Sequence, residues 1–404
     1  MNLRVLDDTD WTQQVDPLAD KALLAVLAEG GPKAVDVALE LLSNQPPHES
    51  WSPALRDFAQ HVHQQTIADL DEARLETAQR AFMTFGLLNV AILGCASLPE
   101  TYCLPGTARL LAMSGQLTRH AGRRFVMTAQ MVFDVMTPGS LKPGGVAVRA
   151  VARTRLMHAA LRHMVWEELQ VAQDTHDLEL RREVLAWTAE FGQPVNQLEL
   201  VYTLMTFSHV VLRSVVLMGL DPQKEAFEDY IYTWNIVGRM LGIEPALLPD
   251  SMADAERLFE AIKTKHAKST PQGAKLIAAL EEYWRQSWPS LLRPAALPVM
   301  HALFDQLLTP ETRVILRIKT PQTLAQRAAR LSIKVVAVGL RLAEHLFMRF
   351  PAIARLAARA IRRFVNKRTA TSDGGLYDTQ QHVFHAWSER VKARRSGASR
   401  ASAP

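Results

Sequence analysis

Cysteine is scarce in this chain of 404 residues, which carries only Cys95 and Cys103. Two thiols exclude a disulfide framework and a cysteine-based zinc site, and Cys95 sits in the apolar run VAILGCASL, where it reads as a small buried hydrophobe. Neither an HExxH helix nor a GxSxG elbow occurs, so the zinc-dependent and serine hydrolases they mark find no support. The N-terminus, MNLRVLDDTDWTQQVDP, has acids where a signal peptide would have its apolar core, and the expectation is a cytoplasmic protein. Repeats are absent. The basic stretches hold no recognised nucleic-acid reader and no stacking aromatics between their charges, so no nucleic-acid partner is expected.

What is present describes a globular chain. Apolar residues make up 48% of it, enough to bury a large core, and the length allows two or three domains. The net charge of +5 hides a split. From Thr309 to Pro404 there are 19 Lys or Arg against 5 Asp or Glu, whereas Met1 to Leu308 holds 27 against 36. The basic character belongs to the C-terminal end.

Apolar periodicity is helical throughout, and the reading is an all-α fold. Residues 1–75 form an N-terminal helical segment, in which Asp16-Pro17 opens one helix that ends at the Gly30-Gly31 pair and Pro32 opens a second. Residues 76–250 form the core, starting with a long apolar helix over Leu75 to Leu93. In GQPVNQLEL, Asn196 and Glu199 have capping-box spacing, and an apolar helix follows from Leu198 to Leu217. Residues 251–370 form a basic, amphipathic helical region and 371–404 a basic, partly disordered tail. Within Leu324 to Val365 the apolar run is interrupted by Lys334, Arg341, Glu344 and Arg349, too many charges for a membrane span. That region either lies flat on an anionic membrane or packs on the core with a solvated basic face.

The chain is organised around Arg123 to Trp166. Arg124, Thr128, Met131 and Val135 share one face of a first helix, so an arginine and a threonine sit inside an apolar stripe. Pro138, Gly139 and the run Lys142 to Gly145 then break the chain with turn chemistry. On the second helix His158 shares a face with Val151, Thr154, Leu161 and Val165, with the small Ala159 and Ala160 beside it. A multi-ligand metal site is not indicated, because no second histidine stands at i+4 and His163 faces away. A core histidine satisfied by neighbours and the single protein ligand of a haem both fit the pattern. His209, in the later apolar helix, is the competing candidate ligand.

Several of these motifs, namely Arg124 to Thr128, VFDVMTPGSLKPGG, RLMHAALRH, GQPVNQLELVYTLMTFS and WNIVGRMLGI, carry a resemblance. From about Ala81 to Pro249 the chain resembles the catalytic domain shared by latex clearing proteins, which are rubber oxygenases, and MpaB-type oxygenases. The resemblance implies a globin-like helical core holding haem b, and oxygenase chemistry with dioxygen on a hydrophobic, unsaturated, isoprenoid-like or polyisoprenoid substrate. It makes His158 the proximal iron ligand, and Arg124 and Thr128 residues of the distal side. Arg155 and Arg162 flank His158, either to pair with a haem propionate or as surface or interhelix residues. Met127 stands where latex clearing proteins carry a distal lysine, so a haem-binding or gas-sensing protein without turnover is the alternative. Tyr230, Trp234 and Asn235 are expected in the core, with pocket lining as their other possible role.

Overall fold

A computed structural model describes residues 3–67, 70–84, 86–113, 116–173, 191–220, 224–321 and 323–349. The helices, in order, are α1 (Val5–Asp8), α2 (Pro17–Asn44), α3 (Pro53–Ile67), α4 (Glu72–Thr84), α5 (Gly86–Ile92), α6 (Leu98–Thr101), α7 (Pro105–Met113), α8 (Gln116–Val135) and α9 (Val146–Gln173). They continue with α10 (Gln197–Phe207), α11 (His209–Leu217), α12 (Lys224–Met240), α13 (Met252–His266), α14 (Pro271–Ser287), α15 (Arg293–Leu307), α16 (Pro310–Ile315) and α17 (Leu324–Arg349). Among the described residues there is no strand, and the fold is all-α. The tail over 351–404 and the segment 174–190 lie outside the described residues.

Helix α9 is the centre of the packing. It lies against α2, α3, α8 and α12, while α14 covers α7 and α8 and α17 rests on α15. The N-terminal segment is therefore laid directly on the core helix.

Two expected helices are joined into one and two others are divided. Helix α2 spans the predicted Gly-Gly-Pro break as a kink: Gly31 has φ 65°, a left-handed conformation that glycine adopts without steric cost, and Pro32 restarts the helix. The long helix expected over Leu75 to Leu93 is α4 and α5 on either side of residue 85, and a π-helical turn, Leu93–Ser97, follows. The apolar run Leu198 to Leu217 breaks at Ser208 (φ −101°, ψ −83°) into α10 and α11. The Tyr230 hydroxyl donates to the Phe207 carbonyl at that break, which satisfies an acceptor freed by the interrupted ladder. This pair of helices is long and apolar enough to cross a membrane, yet most of it is buried inside the fold.

Two buried polar nodes tie the helices together. At the first, Asp16 caps α2 by accepting from the Ala19 amide at 3.3 Å and also receives the Arg155 guanidinium at 2.6 and 2.9 Å. Arg155 donates besides to the Met240 carbonyl (3.1 Å). One helical turn on, Asp20 receives Arg162, which also donates to the Val195 carbonyl at 2.9 Å. Gln197 closes the node by donating to the Gly242 carbonyl (2.8 Å) and accepting from the Glu244 amide (2.9 Å). Gly242, at φ 80°, passes so near the ion pair that a Cβ there would lie 2.5 Å from an Asp16 carboxylate oxygen.

At the second node, Glu100, fully buried, takes Lys263 at 3.0 Å, Arg213 at 3.1 Å and the Thr312 hydroxyl at 3.2 Å. It joins α6, α11, α13 and α16.

The capping box at α10 forms as its spacing predicts. The Asn196 side chain accepts from the Glu199 amide at 3.0 Å, and the Glu199 carboxylate accepts from the Val195 amide at 3.1 Å. Burial raises the Glu199 pKa from 4.5 to about 7, against the opposing hydrogen bonds from Thr107, Val195 and Asn196.

Arg155→Ala strands the Asp16 carboxylate in the interior, so it is expected to cost roughly 3–5 kcal/mol of unfolding free energy in urea denaturation. Arg162→Ala should cost less, because Asp20 is 29% exposed and water replaces its partner. A loss no larger for Arg155→Ala than for Arg162→Ala would contradict the burial argument. For Glu199, the folded state holds its proton to higher pH than the unfolded chain does. The group's contribution is thus complete below pH 4.5 and is lost as the pH rises to about 7. Glu199→Gln, which cannot ionise, should lack that decline, and thermal melts of both proteins across the window should diverge. Parallel curves would show that Glu199 does not titrate there.

Candidate functional site

Helices α8 and α9 form a hairpin closed by the turn over residues 136–145. Gly139 and Gly144 take φ values of 78° and 73°, the Thr137 hydroxyl donates to the Phe133 carbonyl, and the Ser140 hydroxyl donates to the Val135 carbonyl. The turn thereby consumes the carbonyls that α8 leaves unpaired at its end. The register of the hairpin is fixed by Thr154, whose hydroxyl lies 3.8 Å from the Met131 sulfur. One turn further from the hairpin bend, the antiparallel register sets Met127 and Thr128 level with Met157 and His158. The predicted residues Thr128 and His158 are thus brought to the same level on facing helices. The next turn sets residue 124 level with Leu161, and the Arg124 side chain itself lies outside the described residues.

Burial marks out a band along this hairpin. Val126, Met127, Thr128 and Met131 on α8, and Thr154, Met157, His158 and Leu161 on α9, are all half-buried. Their neighbours Ala129, Val132, Val151, Ala159 and Ala160 are buried. The band is apolar apart from the hydroxyls of Thr128 and Thr154 and the imidazole of His158. Among the described residues no three His, Cys, Asp or Glu side chains converge, so no all-protein metal cage is present there.

The remaining candidates lie elsewhere. Arg155 and Arg162 occupy the face of α9 turned to α2, and the interhelix alternative replaces the propionate one: their guanidinium groups are engaged by Asp16 and Asp20. His163 is half-buried beside Glu167 at 3.8 Å. His209 sits at the start of α11, 1% exposed and 5.4 Å from the Phe259 ring. Burial and then the cations Arg213 and Lys263 hold its pKa down at about 3, so it is neutral, and it belongs with the Glu100 node. Trp234 is fully buried and stacks on Phe207 at 5.7 Å, and Asn235 donates to the Pro249 carbonyl at 2.7 Å. Both are packing residues, whereas Tyr230, though buried, also lines a recess as the alternative expectation had it. A small apolar recess lined by Phe82, Asn89, Val211, Val215, Phe227 and Tyr230 contains none of the predicted ligand or distal residues.

The sequence marks Asp16 only as a helix start and does not mark Asp20, although a signal for their ion pairs exists. Two acids one turn apart at the start of α2 match two arginines two turns apart on α9, and arginines on a core helix need counter-charges.

Comparison with known proteins places this geometry in context. The sequence model of the family described as "ER-bound oxygenase mpaB/B'/Rubber oxygenase, catalytic domain" matches residues 77–338, well over half of the chain. That match reaches past the core expected to end at residue 250 and takes in part of α17. A rubber oxygenase from Streptomyces sp. (strain K30) is 22% identical over 275 residues, covering 67% of this chain and 62% of that protein. The match therefore spans less than two thirds of that relative's length. The solved structure of a latex clearing protein, LCP, in its closed state superposes with a TM-score of 0.67 at 20% identity, over 88% of this chain and 91% of the other. That likeness concerns the fold. With the family match covering α4 to α17 and the hairpin motifs inside it, the chain belongs to the mpaB/rubber oxygenase catalytic-domain family.

Proposed function

We propose that the chain is an oxygenase that uses haem b and dioxygen on a hydrophobic, unsaturated, isoprenoid-like substrate, with His158 as the protein ligand to iron. The observation that carries this reading is the half-buried band in which His158 and Thr128 stand level on facing helices of a family whose described activity is oxygenation. The donor set suits the group. One imidazole, with no cluster of three ligating side chains among the described residues, is insufficient for a bare ion, and it is what a porphyrin, which brings four nitrogens of its own, requires. Methionine and leucine side chains of the band give the macrocycle an apolar surround, and the flanking alanines leave room for a flat face.

When bound, the haem supplies the activation of dioxygen. The chain's own residues do the rest. The α9 helix, locked by Asp16 and Asp20, holds the imidazole in a fixed orientation. The Thr128 hydroxyl, level with it across the band, would be the group on this side able to donate a hydrogen bond to dioxygen or to a polar atom of the substrate. Arg124, one turn further along α8, is the other residue assigned to that side by the family resemblance. Met127, in place of a lysine, donates nothing, which leaves the polar work of the distal side to these two. The apolar lining excludes water and admits a hydrocarbon chain. The alternative, a haem-binding or gas-sensing protein without turnover, is favoured by the same methionine and differs only in its failure to consume oxygen with an olefin.

His158→Ala should give a folded protein, since its neighbours are small and the Arg155 and Arg162 ties remain, with less than about a tenth of the wild-type haem by pyridine haemochrome assay. Full haem content in that variant would remove His158 as the ligand. Thr128→Ala should retain haem and lower the rate of oxygen consumption with isoprenoid olefins by about tenfold, equivalent to ~1.4 kcal/mol of barrier. Haem without any olefin-dependent oxygen uptake in the wild type would support the sensing alternative.

A further inference from the structure

Helix α17 is apolar on two opposite faces, and only one of them is used. The inner face, Gln326, Ala329 and Ile333, is buried against α15, where Gln326 donates to Asp305 at 3.0 Å and Arg330 pairs with the same carboxylate. On the outer side Leu324 is 81% exposed, Leu331 and Val335 64%, and Val338 54%. At 3.6 residues per turn these four fall in one stripe about 60° wide, roughly opposite the buried face. A helix packed on a core and facing water would carry polar residues there. Exposed Arg327 borders the stripe, and Arg317 and Lys319, also exposed, precede the helix.

We propose that α17 is a membrane-surface helix, whose outer stripe of Leu324, Leu331, Val335 and Val338 enters an anionic bilayer while Arg327 at its edge meets lipid phosphates. Charge selects this occupant. From Thr309 to Arg349 the chain has 8 basic residues against 2 acidic, and the chain before it is net acidic, so the segment that carries α17 is the one suited to a negative surface. The helix does not reach the apolarity of a span. An amphipathic helix fixed at its inner face to the body of the protein lies in the interface plane, its apolar stripe among the acyl chains and its basic border at the headgroups. The inference is independent of the haem reading, because it uses no residue of the α8–α9 band.

The test uses the full-length protein and sedimentation with phosphatidylcholine/phosphatidylglycerol vesicles, with pure phosphatidylcholine vesicles as the control. Binding is expected to the anionic vesicles and to weaken with salt. The double substitution Leu331→Gln with Val335→Gln, which keeps charge and helix propensity, should weaken vesicle binding by about tenfold or more without shifting the thermal midpoint. Arg327→Gln should weaken binding to anionic vesicles and flatten its salt dependence. Absence of sedimentation at low salt would overturn the proposal, as would unchanged binding by the double variant. So would a concentration-dependent dimer in analytical ultracentrifugation that the double variant abolishes while vesicles go unbound, since the stripe would then belong to a second copy of the chain.

Discussion

The carboxylate of Asp16 holds three separate parts of the chain in one place. It ends the extended N-terminal segment by capping α2, it receives Arg155 from the middle of α9, and Gly242 lets the turn after α12 close over the pair. Taking a carboxylate and a guanidinium out of water is costly, and the cost is offset here by a two-point contact with the Met240 carbonyl as a further acceptor. The consequence is orientation more than stability. Arg155 and Arg162 lie two turns apart on the same side of α9, so two fixed points set both the height and the rotation of that helix. His158 lies between them on an adjacent face, and its direction follows from theirs.

The motifs shared with the family acquire a common physical purpose from this node. Arg155 of RLMH pairs with Asp16 and donates to the Met240 carbonyl of the MLGI turn, Arg162 donates to the Val195 carbonyl of the GQPVNQ turn, and Gln197 of that turn donates to the Gly242 carbonyl. The Gln193 and Gln197 amides also donate to the carbonyls of Thr12 and Gln14, so the N-terminal segment is threaded through the same cluster. These residues clamp the helix that bears His158. The Glu100 node does similar work on the other side of α10, where Lys263 and Thr312 fasten α13 and α16 to the core. The buried, neutral His209 beside it is part of that scaffold.

Between the two nodes the hairpin band stays half-buried, while the positions flanking it on both helices are closed. An all-helical core packs its side chains to near crystal density, and a run of partly accessible methionine, leucine, valine and threonine side chains within it is where that packing leaves off. Three of these side chains, Met127, Met131 and Met157, are unbranched methionines, which repack at low cost.

The sequence by itself determined the all-α class, the kink at Gly30-Gly31, the α10 cap at Asn196 and the turn between α8 and α9, because each depends on local chemistry: helical period, φ tolerance or a side chain reaching its own backbone. It also marked Thr128 and His158, through motifs that bear on a family. The break at Ser208, the engagement of Arg155 and Arg162 by Asp16 and Asp20, and the placement of His209 against Phe259 were decided only by tertiary structure. In each case the deciding group is far along the chain. The Arg155 side chain carries the same donors in sequence whether it meets a propionate, water or a carboxylate 139 residues away, and only the fold brings Asp16 within 2.6 Å. The two apolar faces of α17 were legible as amphipathic character alone, and which face α15 would cover depended on where the packed core ran out of surface.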